Sequence, residues 1–493
     1  MTQLATTTLT FPVRQDHLRN FVDGRWVPGA GGATRRNLNP ADLDDVIGEF
    51  AESGAADVRA AVDAAEAAQP GWDAIGPIER AKYLSRAARI LEQRVDDLAA
   101  AITREQGKRL SEARGEVTRA LTVLEFTIGE ARRINGETTP AEEPRTVVLT
   151  FRRPIGLVGL ITPWNFPVAI PMWKIAPALL SGCAAVLKPS PLTPLTSALL
   201  VQAFHDAGVP AGVLNLVQGD REAGEALVGD RRIAGVSFTG SLPVGLAINQ
   251  AGAGRLLRTQ LELGGKNALI VLADADLDEA TDAIVFGAFG QSGQRCSATS
   301  RVVVDRAVHD ELLDRLVARV GPMRVGRGDQ DWADIGPVVN EERQRACLDA
   351  IDAAVAGGAT IAVGGGAAAL DTRGWFVNPT VLDNVAWDSE IAQEEVFGPV
   401  LSVITCDGYD DAMRISNSVK YGMSGTIFTR NPAYIFQALQ DFQAGMLHVN
   451  RPGVGAYSHL PHMGAKASQL GAPECSPDVW QFYTDLRSAC IRY

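Results

Sequence analysis

The chain has 493 residues, of which 46% are hydrophobic and 21% are charged, and its formal net charge is −12. This length suggests roughly three domains, and this composition excludes wholesale disorder. The most apolar stretch, around residues 154–187, is interrupted by prolines, so no membrane-spanning helix is predicted. The negative charge disfavours nucleic acid and anionic membrane surfaces as partners.

The amino terminus and the cysteines indicate a cytoplasmic protein. The first residues, MTQLATTTLT, lack the basic start and the continuous apolar segment of a signal peptide. Six cysteines are scattered without a CxxC, which favours reduced thiols over a disulfide framework or a zinc site. The six histidines form no metal-binding motif, so no metal is expected.

Helical periodicity dominates residues 55–134. Apolar residues recur there at intervals of three and four, most clearly in ERAKYLSRAARILEQRVDDLAAAITREQG. Gly107 ends this run and is predicted to cap the helix, because glycine adopts the left-handed conformation without strain. A further helix is predicted over residues 111–133.

After about residue 150, short apolar runs alternate with helical stretches. This alternation is typical of βαβ units and predicts a parallel sheet that binds ligands beyond the carboxyl ends of its strands. The first series of predicted strands is LVGLI (157–161), AAVLK (184–188), VLNLV (213–217) and GVSFTG (235–240). The second series, from about residue 264, is NALIVL, SRVVVD, TIAVGG, VLSVIT, GTIFT and GMLHVN.

Two segments fit neither series. Residues 143–153, EPRTVVLTFRR, have the pattern of an exposed strand, and the carboxyl-terminal VWQFYTDLRSACIRY is apolar and aromatic for a tail. Exposed strands invite edge pairing, and an apolar tail usually has something to cover it. Together the two segments predict an oligomer interface, and the alternative is a tail packed on its own subunit.

Cys296, in GQSGQRCSATSR, is a candidate nucleophile, although a lone cysteine is most often inert packing. Glycines and the polar Gln294 predict a loop before it, and Ser297 and Thr299 after it are possible helix starters. Amide dipoles at such a loop-to-helix junction would stabilise the thiolate that a nucleophile requires.

Two further polar side chains complete the candidate catalytic set. Glu262, in QLELGGKN, ends an apolar strand, where desolvation would raise its pKa towards the range of a general base. Asn165, in ITPWNFP, carries an amide that can donate to a developing oxyanion. Taken singly, Glu262 could be a surface glutamate and Asn165 a turn residue.

The segment FTGSLPVG (238–245) follows a predicted strand and opens a predicted helix. A helix start with Gly240 and Ser241 can hold a pyrophosphate on its free amide groups. Because the chain contains no GxGxxG, this segment alone is a weak signal for nucleotide binding.

Taken in chain order, these motifs resemble the aldehyde dehydrogenase superfamily over nearly the whole chain. The matching segments are ITPWNFP, LKPS, FTGS, LELGGK, GQRC, EEVFGP and NRPG, and the interval from Glu262 to Cys296 also matches. The resemblance implies an α/β fold with a Rossmann-type cofactor domain, an α/β catalytic domain and a small β bridging domain for oligomerisation.

The resemblance also implies a reaction. Cys296 would attack the aldehyde, and Asn165 with the backbone amide of Cys296 would hold the oxyanion of the thiohemiacetal. Hydride transfer to nicotinamide would leave a thioester, which water activated by Glu262 would hydrolyse. Relatives that pass the acyl group to coenzyme A lack this glutamate, so a free carboxylic acid is expected. Lys174, in MWKIAPAL, matches the lysine that supports the catalytic site.

The resemblance implies NAD or NADP as the cofactor. Glu395 and Phe397, in EEVFGPV, match the residues that position the nicotinamide ribose and ring, and Lys188 matches the lysine at the adenosine ribose. The other implied cofactor positions are Ile161, Thr162, Pro163, Trp164, Ser190, Pro191, Gly240, Ser241 and Leu263.

Pro191 departs from many NAD-preferring members, which have a glutamate there that binds both ribose hydroxyls and repels a 2′-phosphate. Its absence removes that repulsion, and Lys188 with Ser190 could contact a phosphate. The sequence therefore leans towards NADP acceptance, with dual specificity as the alternative.

The late motif, usually PFGGxKxSGxG in the family, reads PHMGAKASQLG here, with His462 and Met463 in place of Phe-Gly. The stretch HVNRPGVGAYSHLPHMG is most similar to bacterial members acting on semialdehydes, including 2,5-dioxopentanoate. The substrate candidates are the tunnel residues Phe166, Ile170 and Trp173 and the cations Arg295 and Arg451. Either arginine could pair with a substrate carboxylate or make a structural salt bridge.

The family pattern gives domain boundaries. A cofactor-binding domain would cover residues 12–134 and 154–263, a catalytic domain 264–462, and bridging segments 135–153 and 478–493, as in homodimers and homotetramers. The leading hypothesis is a hydrolytic NAD(P)-dependent aldehyde dehydrogenase for a small semialdehyde. The alternatives are a broad-specificity enzyme for aliphatic or aromatic aldehydes and a non-catalytic structural or binding protein on this fold.

Overall fold

The structure is a computed structural model that describes residues 14–455 and 457–493. The prediction that the first residues are not a signal peptide falls on a segment outside the described residues. The α-helices are α1 (Ala55–Ala74), α2 (Gly76–Glu92), α3 (Val95–Gln106), α4 (Leu110–Gly129), α5 (Ala169–Ser181), α6 (Pro194–Asp206), α7 (Arg221–Gly229), α8 (Leu242–Ala253), α9 (Leu277–Phe289), α10 (His309–Val320), α11 (Glu341–Ala356), α12 (Glu390–Gln393), α13 (Gly408–Asn417), α14 (Pro432–Asp441) and α15 (Trp480–Tyr483). Within the described ranges, none of these helices is both long enough and apolar enough to span a membrane.

The β-strands confirm both series that the sequence predicts. They are β1 (Asn20–Val22), β2 (Arg25–Val27), β3 (Thr34–Asn39), β4 (Asp42–Ala51), β5 (Thr138–Thr139), β6 (Thr146–Pro154), β7 (Leu157–Ile161), β8 (Ala184–Lys188), β9 (Leu214–Leu216), β10 (Ile233–Thr239), β11 (Arg258–Glu262), β12 (Asn267–Val271), β13 (Thr299–Asp305), β14 (Thr360–Val363), β15 (Thr380–Asp383), β16 (Val400–Cys406), β17 (Tyr421–Gly422), β18 (Ser424–Phe428), β19 (Met446–Val449), β20 (Ala465–Lys466), β21 (Gln469–Leu470) and β22 (Thr484–Arg492).

The first sheet has the strand order β2-β1-β9-β8-β7-β10-β11-β21. The five neighbouring strands β9, β8, β7, β10 and β11 run parallel to one another. From β7 the chain adds strands first on one side of the sheet and then on the other. Every residue of β7 and β8 is buried, as expected for a parallel sheet covered on both faces. A doubly wound sheet of this order binds ligands where the strand order reverses, at the carboxyl ends of β7 and β10.

Helices cover both faces of this sheet. Apolar residues of α2 to α6 form one buried cluster against it, and residues of α1, α7 and α8 form the other. The predicted helix cap is confirmed, because α3 ends at Gly107 with φ 91°. A side chain there would also collide with the ring of Pro337, so glycine is required twice over.

The second sheet has the strand order β14-β15-β16-β13-β12-β18-β19 and is parallel except at β14. Only residues 263–266 separate the end of β11 in the first sheet from the start of β12 in the second. The carboxyl edge of the first sheet therefore meets the amino edge of the second. Glu262 ends β11 and Cys296 precedes β13, so this junction brings the two together.

The carboxyl-terminal tail packs on its own subunit. β22 pairs antiparallel with β6, from Thr484 opposite Pro154 to Arg492 opposite Thr146, and β5 pairs with β6 at the other edge. This is the pairing that the family resemblance implies for residues 135–153 and the tail. The domain boundaries stay predictions, and β21 adds a late segment of the chain to the first sheet.

Candidate active site

Cys296 lies on a loop between α9 and β13 that holds an uncommon backbone conformation. Gln291 and Ser292 have φ values of 53° and 55°, in the left-handed region that is costly for residues other than glycine. Asn267, the first residue of β12, donates from Nδ2 to the backbone oxygens of Cys296 (2.8 Å) and Ala298 (2.9 Å). These bonds fix the loop on the amino ends of β12 and β13.

The predicted helix after Cys296 is wrong. Ser297 lies in a turn, and β13 begins at Thr299. The β-branched run that follows pairs with β12 and β16, and this pairing extends the strand back to Thr299. The backbone N–H of Ser297 still donates to the thiol and favours the thiolate, so a turn amide supplies what a helix dipole was expected to supply.

The surroundings of Cys296 keep its thiol protonated. Burial, followed by the negative charges of Glu262, Glu395 and Glu474, raises the pKa of Cys296 to about 12. A thiol in this state needs a neighbouring base to take its proton as it attacks.

Glu262 is placed as such a base. Its side chain is 1% exposed, and within the described residues neither of its oxygens has a hydrogen-bond partner. Burial, followed by the charge of Glu474, raises the pKa of Glu262 well above its ordinary value, and Lys174 opposes this. The predicted desolvation is therefore confirmed and the surface alternative is wrong. A carboxylate with a raised pKa can exchange protons near neutral pH.

A buried ion pair lies next to Glu262. Lys174, in α5, forms a salt bridge with Glu474 and donates to Ser237 Oγ at 2.8 Å. The second oxygen of Glu474 has no partner among the described residues. One ammonium thus lies near two carboxylates, so the negative charge around Glu262 is only partly balanced. Sequence reasoning missed Glu474, whose only signal was an acid between Pro473 and Cys475 in an apolar segment.

Asn165 lies beside the nucleophile loop. It is buried, and its Nδ2 donates to the backbone oxygen of Gln294 at 3.1 Å, just before Cys296 in the chain. Its own backbone oxygen accepts from Lys108 Nζ at 2.6 Å. The side-chain amide is therefore held on the loop that carries Cys296, and its role as an oxyanion donor stays a prediction.

Lys108 and Glu116 hold the loop that carries Asn165, and the sequence analysis missed both. Their side chains are fully buried and form a salt bridge of 2.6 Å. The other oxygen of Glu116 accepts from the N–H groups of Val168 (2.8 Å) and Ala169 (3.1 Å) at the start of α5. Charges in a helical segment such as KRLSEARGE are typical of an exposed face, so local pattern gave no signal for their burial.

The predicted cofactor positions lie together at the carboxyl edge of the first sheet. They end or follow β7 (Ile161, Thr162, Pro163, Trp164), β8 (Lys188, Ser190, Pro191), β10 (Gly240, Ser241) and β11 (Leu263). This edge is where a doubly wound sheet binds a dinucleotide.

The groups at this edge fit a dinucleotide. α8 begins at Leu242 without a side-chain cap, so its first N–H groups are free for a pyrophosphate. Lys188 Nζ donates to two backbone oxygens, at 2.7 and 3.0 Å, and has a third N–H for a ribose hydroxyl. The buried hydroxyls of Thr162 and Thr239 have no partner within the described ranges.

Glu395 and Phe397 lie where the two sheets meet. Glu395 Oε1 accepts from the N–H of Gly265 at 2.9 Å, and burial raises the pKa of Glu395 to about 7. A side chain at Gly264 would collide with the Glu395 carboxylate, which explains the paired glycines after Glu262. The rings of Phe397 and Trp164 meet edge to face, 5.4 Å between centroids. The two predicted nicotinamide-side groups are thus adjacent to the loop after β7.

The predicted tunnel residues follow the same loop into α5. Lys108 Nζ lies 4.4 Å from the centre of the Phe166 ring, and Ile170 is buried. The ring of Trp173 packs on that of His462, 4.7 Å between centroids. Their role as a tunnel lining stays a prediction.

The two candidate arginines lie in different surroundings. The guanidinium of Arg295 lies 5.3 Å from the centre of the Phe286 ring, and its Nε has no partner among the described residues. Arg451 donates from Nη1 to the hydroxyl of Tyr457 at 3.1 Å. Neither arginine forms a salt bridge within the described part of the chain, so the salt-bridge alternative is not observed there.

The fold and this site define a class of enzyme in which a cysteine, on a loop at the amino edge of one sheet, faces the carboxyl edge of a doubly wound sheet. The chain belongs to the aldehyde dehydrogenase family: the model of that family matches residues 26–489. It is an NAD(P)-dependent aldehyde dehydrogenase, as the sequence predicts, and not a non-catalytic protein on this fold.

Relatives and solved structures match nearly the whole chain. α-Ketoglutaric semialdehyde dehydrogenase of Bacillus subtilis is 38% identical over 483 residues, which are 97% of this chain and 99% of the relative. 2,5-Dioxopentanoate dehydrogenase of Saccharolobus solfataricus is 40% identical over 463 residues, 93% of this chain and 96% of the relative. Betaine aldehyde dehydrogenase of Staphylococcus aureus, in complex with NAD+, has a TM-score of 0.93 at 32% identity and covers 96% of this chain and 95% of its own.

Proposed function

We propose that the substrate is a small aldehyde with a carboxylate at its distal end, of the 2,5-dioxopentanoate type, and that the product is the dicarboxylic acid. The observation that carries this proposal is a pair of arginines without a carboxylate partner among the described residues, in a protein whose net charge is −12. Arg295 precedes Cys296, and Arg451 precedes the segment that leads to His462. Neither has a carboxylate partner among the described residues, and a substrate carboxylate would supply one.

The proposed reaction uses groups that lie where the two sheets meet. Cys296 Sγ attacks the aldehyde carbon while its proton leaves to a Glu262 oxygen, and Asn165 Nδ2 donates to the oxyanion. When bound, the nicotinamide of NAD(P) supplies the hydride acceptor. Glu262 releases this proton to solvent and then takes a proton from the water that attacks the thioester carbon. The Cys296 sulfur leaves as a thiolate and regains its proton from Glu262. Lys174 and Glu474 set the protonation of Glu262 through the buried ion pair.

Initial rates of reduced-cofactor formation test the substrate class. 2,5-Dioxopentanoate and succinate semialdehyde are compared with propanal and benzaldehyde. A higher kcat/KM for the dicarbonyl acid is expected. Equal or higher values for the uncharged aldehydes would overturn the semialdehyde proposal in favour of a broad-specificity enzyme, while the cysteine chemistry would stand.

We propose that NADP is accepted as well as NAD. Pro191 places no carboxylate at the end of β8, and Lys188 and Ser190 lie there. The nearby acids Glu52 and Asp220 both bind Arg35, so their charges are partly neutralised. A Pro191→Glu variant should lower kcat/KM for NADP about tenfold or more, because two like charges would meet. An unchanged NADP-to-NAD ratio in this variant would contradict the proposal.

We propose a homodimer or homotetramer built through the sheet β22-β6-β5. On this sheet Val147 lies opposite Ile491, Phe151 lies on the same face of β6 as Val147, and all three are exposed. Such an apolar face favours a second copy. Light scattering during gel filtration should give a dimer or tetramer, and Val147→Glu should shift it to smaller species.

We also propose a cytoplasmic location, which fits the six free cysteines.

A further inference from the structure

Three nitrogen atoms without partners lie around Trp173, one of the predicted tunnel residues. They are Arg119 Nη2, Trp173 Nε1 and His462 Nδ1, each buried and each without a hydrogen-bond partner in the described part of the chain. Buried polar atoms of a folded protein are nearly always satisfied, because leaving one unpaired costs stability. Three such atoms in one region indicate that a group from outside the chain satisfies them.

The three side chains come from segments that pack together. Trp173 lies on α5 and packs its ring on His462, and Arg119 lies on α4, which packs against α5. Burial, followed by the charges of Arg119 and Lys174, lowers the pKa of His462 to about 4. His462 is therefore neutral at physiological pH, and Arg119 supplies the positive charge of the group.

No acid among the described residues neutralises Arg119. It forms no salt bridge and no side-chain hydrogen bond there, and burial lowers its pKa. A partly buried guanidinium without a counter-ion is rare, because desolvation penalises the isolated charge. An anionic ligand would remove that penalty.

The cluster adjoins the catalytic network. The backbone N–H of His462 donates to the backbone oxygen of Glu474 at 2.8 Å, and the backbone N–H of Glu474 donates to that of His462 at 3.0 Å. Glu474 binds Lys174, and its charge acts on both Glu262 and Cys296. A small molecule attached to the sulfur thus has an anion-binding group within the same site.

The two arginines singled out by the sequence are less suited to this role. Arg295 lies against the face of Phe286, near Glu112 and Arg109, and Arg451 already donates to the Tyr457 hydroxyl. Among the described residues, each has one other unpartnered side-chain nitrogen in its neighbourhood, Arg109 Nε near Arg295 and His448 Nε2 near Arg451, whereas Arg119 has two. Arg295 and Arg451 contribute positive potential to the route of an anionic substrate.

We propose that Arg119, Trp173 and His462 form the subsite that binds the distal carboxylate of the substrate. This inference rests on the proposed function, because it presupposes a carboxylated aldehyde. The two carboxylate oxygens can accept from the guanidinium, the indole N–H and the imidazole N–H together. An uncharged aldehyde of the same length leaves all three donors unpaired, so the subsite selects against it as well as for the acid. His462, where the family pattern has phenylalanine, supplies a donor that phenylalanine lacks.

Steady-state kinetics with two substrates of matched length test the subsite. The variants are Arg119→Met, His462→Phe and Trp173→Phe, and the readout is kcat/KM for 2,5-dioxopentanoate divided by that for pentanal. We expect this ratio to fall about 100-fold in Arg119→Met and about tenfold or less in the two others. Arg119→Lys should retain part of the ratio, since it keeps the charge. The matched control is Arg114→Met, on the same helix, whose guanidinium pairs with the exposed Asp96 and should leave the ratio unchanged.

An inert dicarboxylate separates this inference from the proposed function. Glutarate should inhibit pentanal oxidation competitively, with an inhibition constant at least about tenfold higher in Arg119→Met. Three results would overturn the subsite. The first is an equal loss of kcat/KM with both substrates, and the second is a larger fall of the ratio in Arg451→Ala or Arg295→Met. The third is glutarate inhibition that Arg119→Met leaves unaffected. If the unmodified enzyme prefers pentanal, the proposed function fails, and the glutarate arm still decides whether the subsite binds a carboxylate.

Discussion

Two buried lysine–glutamate pairs contact α5, and they differ in how completely their charges and hydrogen bonds are matched. Lys108 and Glu116 are one cation and one anion, and the oxygens of Glu116 accept from the lysine and from two backbone N–H groups. Lys174 faces both Glu474 and Glu262, and three of the four carboxylate oxygens have no partner among the described residues.

The difference shows how burial can serve structure or chemistry. A matched pair has no reason to change its protonation, so it fixes the loop that carries Asn165. A mismatched set holds a proton that can move, because like charges in a buried site shift the pKa of each other. Because both sets are buried, the imbalance of charge distinguishes the set of Lys174, Glu474 and Glu262 from the pair of Lys108 and Glu116.

The largest expected effect is on the mismatched set. Glu262→Gln should lower steady-state turnover about 1,000-fold, because hydrolysis of the thioester loses its base. The attack of Cys296 loses its base as well, so rapid mixing should show no burst of reduced cofactor. An exposed matched control is Glu225→Gln. A burst close to one equivalent per site would show that another group takes the Cys296 proton and that Glu262 serves hydrolysis alone.

Removing the lysine should lower the free energy of unfolding by a different amount in each of the two pairs. Lys108→Met leaves the Glu116 charge buried without a cation, which should lower the free energy of unfolding by about 3–5 kcal/mol. Lys174→Met should cost less, since Glu262 and Glu474 can share protons. Urea unfolding of both variants measures the difference. Equal losses would contradict the distinction between a matched and a mismatched pair.

The pH dependence of turnover should move in opposite directions in two variants of the mismatched set. The charge of Glu474 raises the pKa of Glu262 and that of Lys174 lowers it, and Glu262 acts as a base only when deprotonated. Glu474→Gln should therefore shift the acidic limb of the kcat profile to lower pH, and Lys174→Met to higher pH, each by about one unit. Shifts of the same sign would exclude this electrostatic coupling.

The smallest expected effect concerns the thiol. In the cofactor-free enzyme, alkylation of Cys296 by iodoacetamide should keep rising above pH 9, because burial and three carboxylates raise its pKa to about 12. Glu474→Gln should raise the rate at pH 8 only a few-fold, since burial is the larger cause. A plateau of the rate below pH 9 would show that the thiol is less buried than described.

The sequence predicts what depends on local pattern. The apolar runs of β7, β8 and β12 predict both sheets, and the position of Glu262 at a strand end predicts its desolvation. Glu474 could not be found in this way, because its partners lie far away in the chain. SRVVVD correctly predicts β13, but local reasoning failed just before it. Ser297 and Thr299 predict a helix start, and pairing with β12 and β16 begins the strand at Thr299 instead.

The distance between Lys174 and Glu474 along the chain has a consequence for biosynthesis. The two residues are 300 positions apart. At about 5–20 residues per second, the ribosome makes Glu474 roughly 15 to 60 s after Lys174. During that interval α5 carries an ammonium group without its counter-ion, so the nascent first sheet cannot close over it at low cost. We expect the last packing step of this enzyme to follow the synthesis of Glu474, with the catalytic centre completed only then.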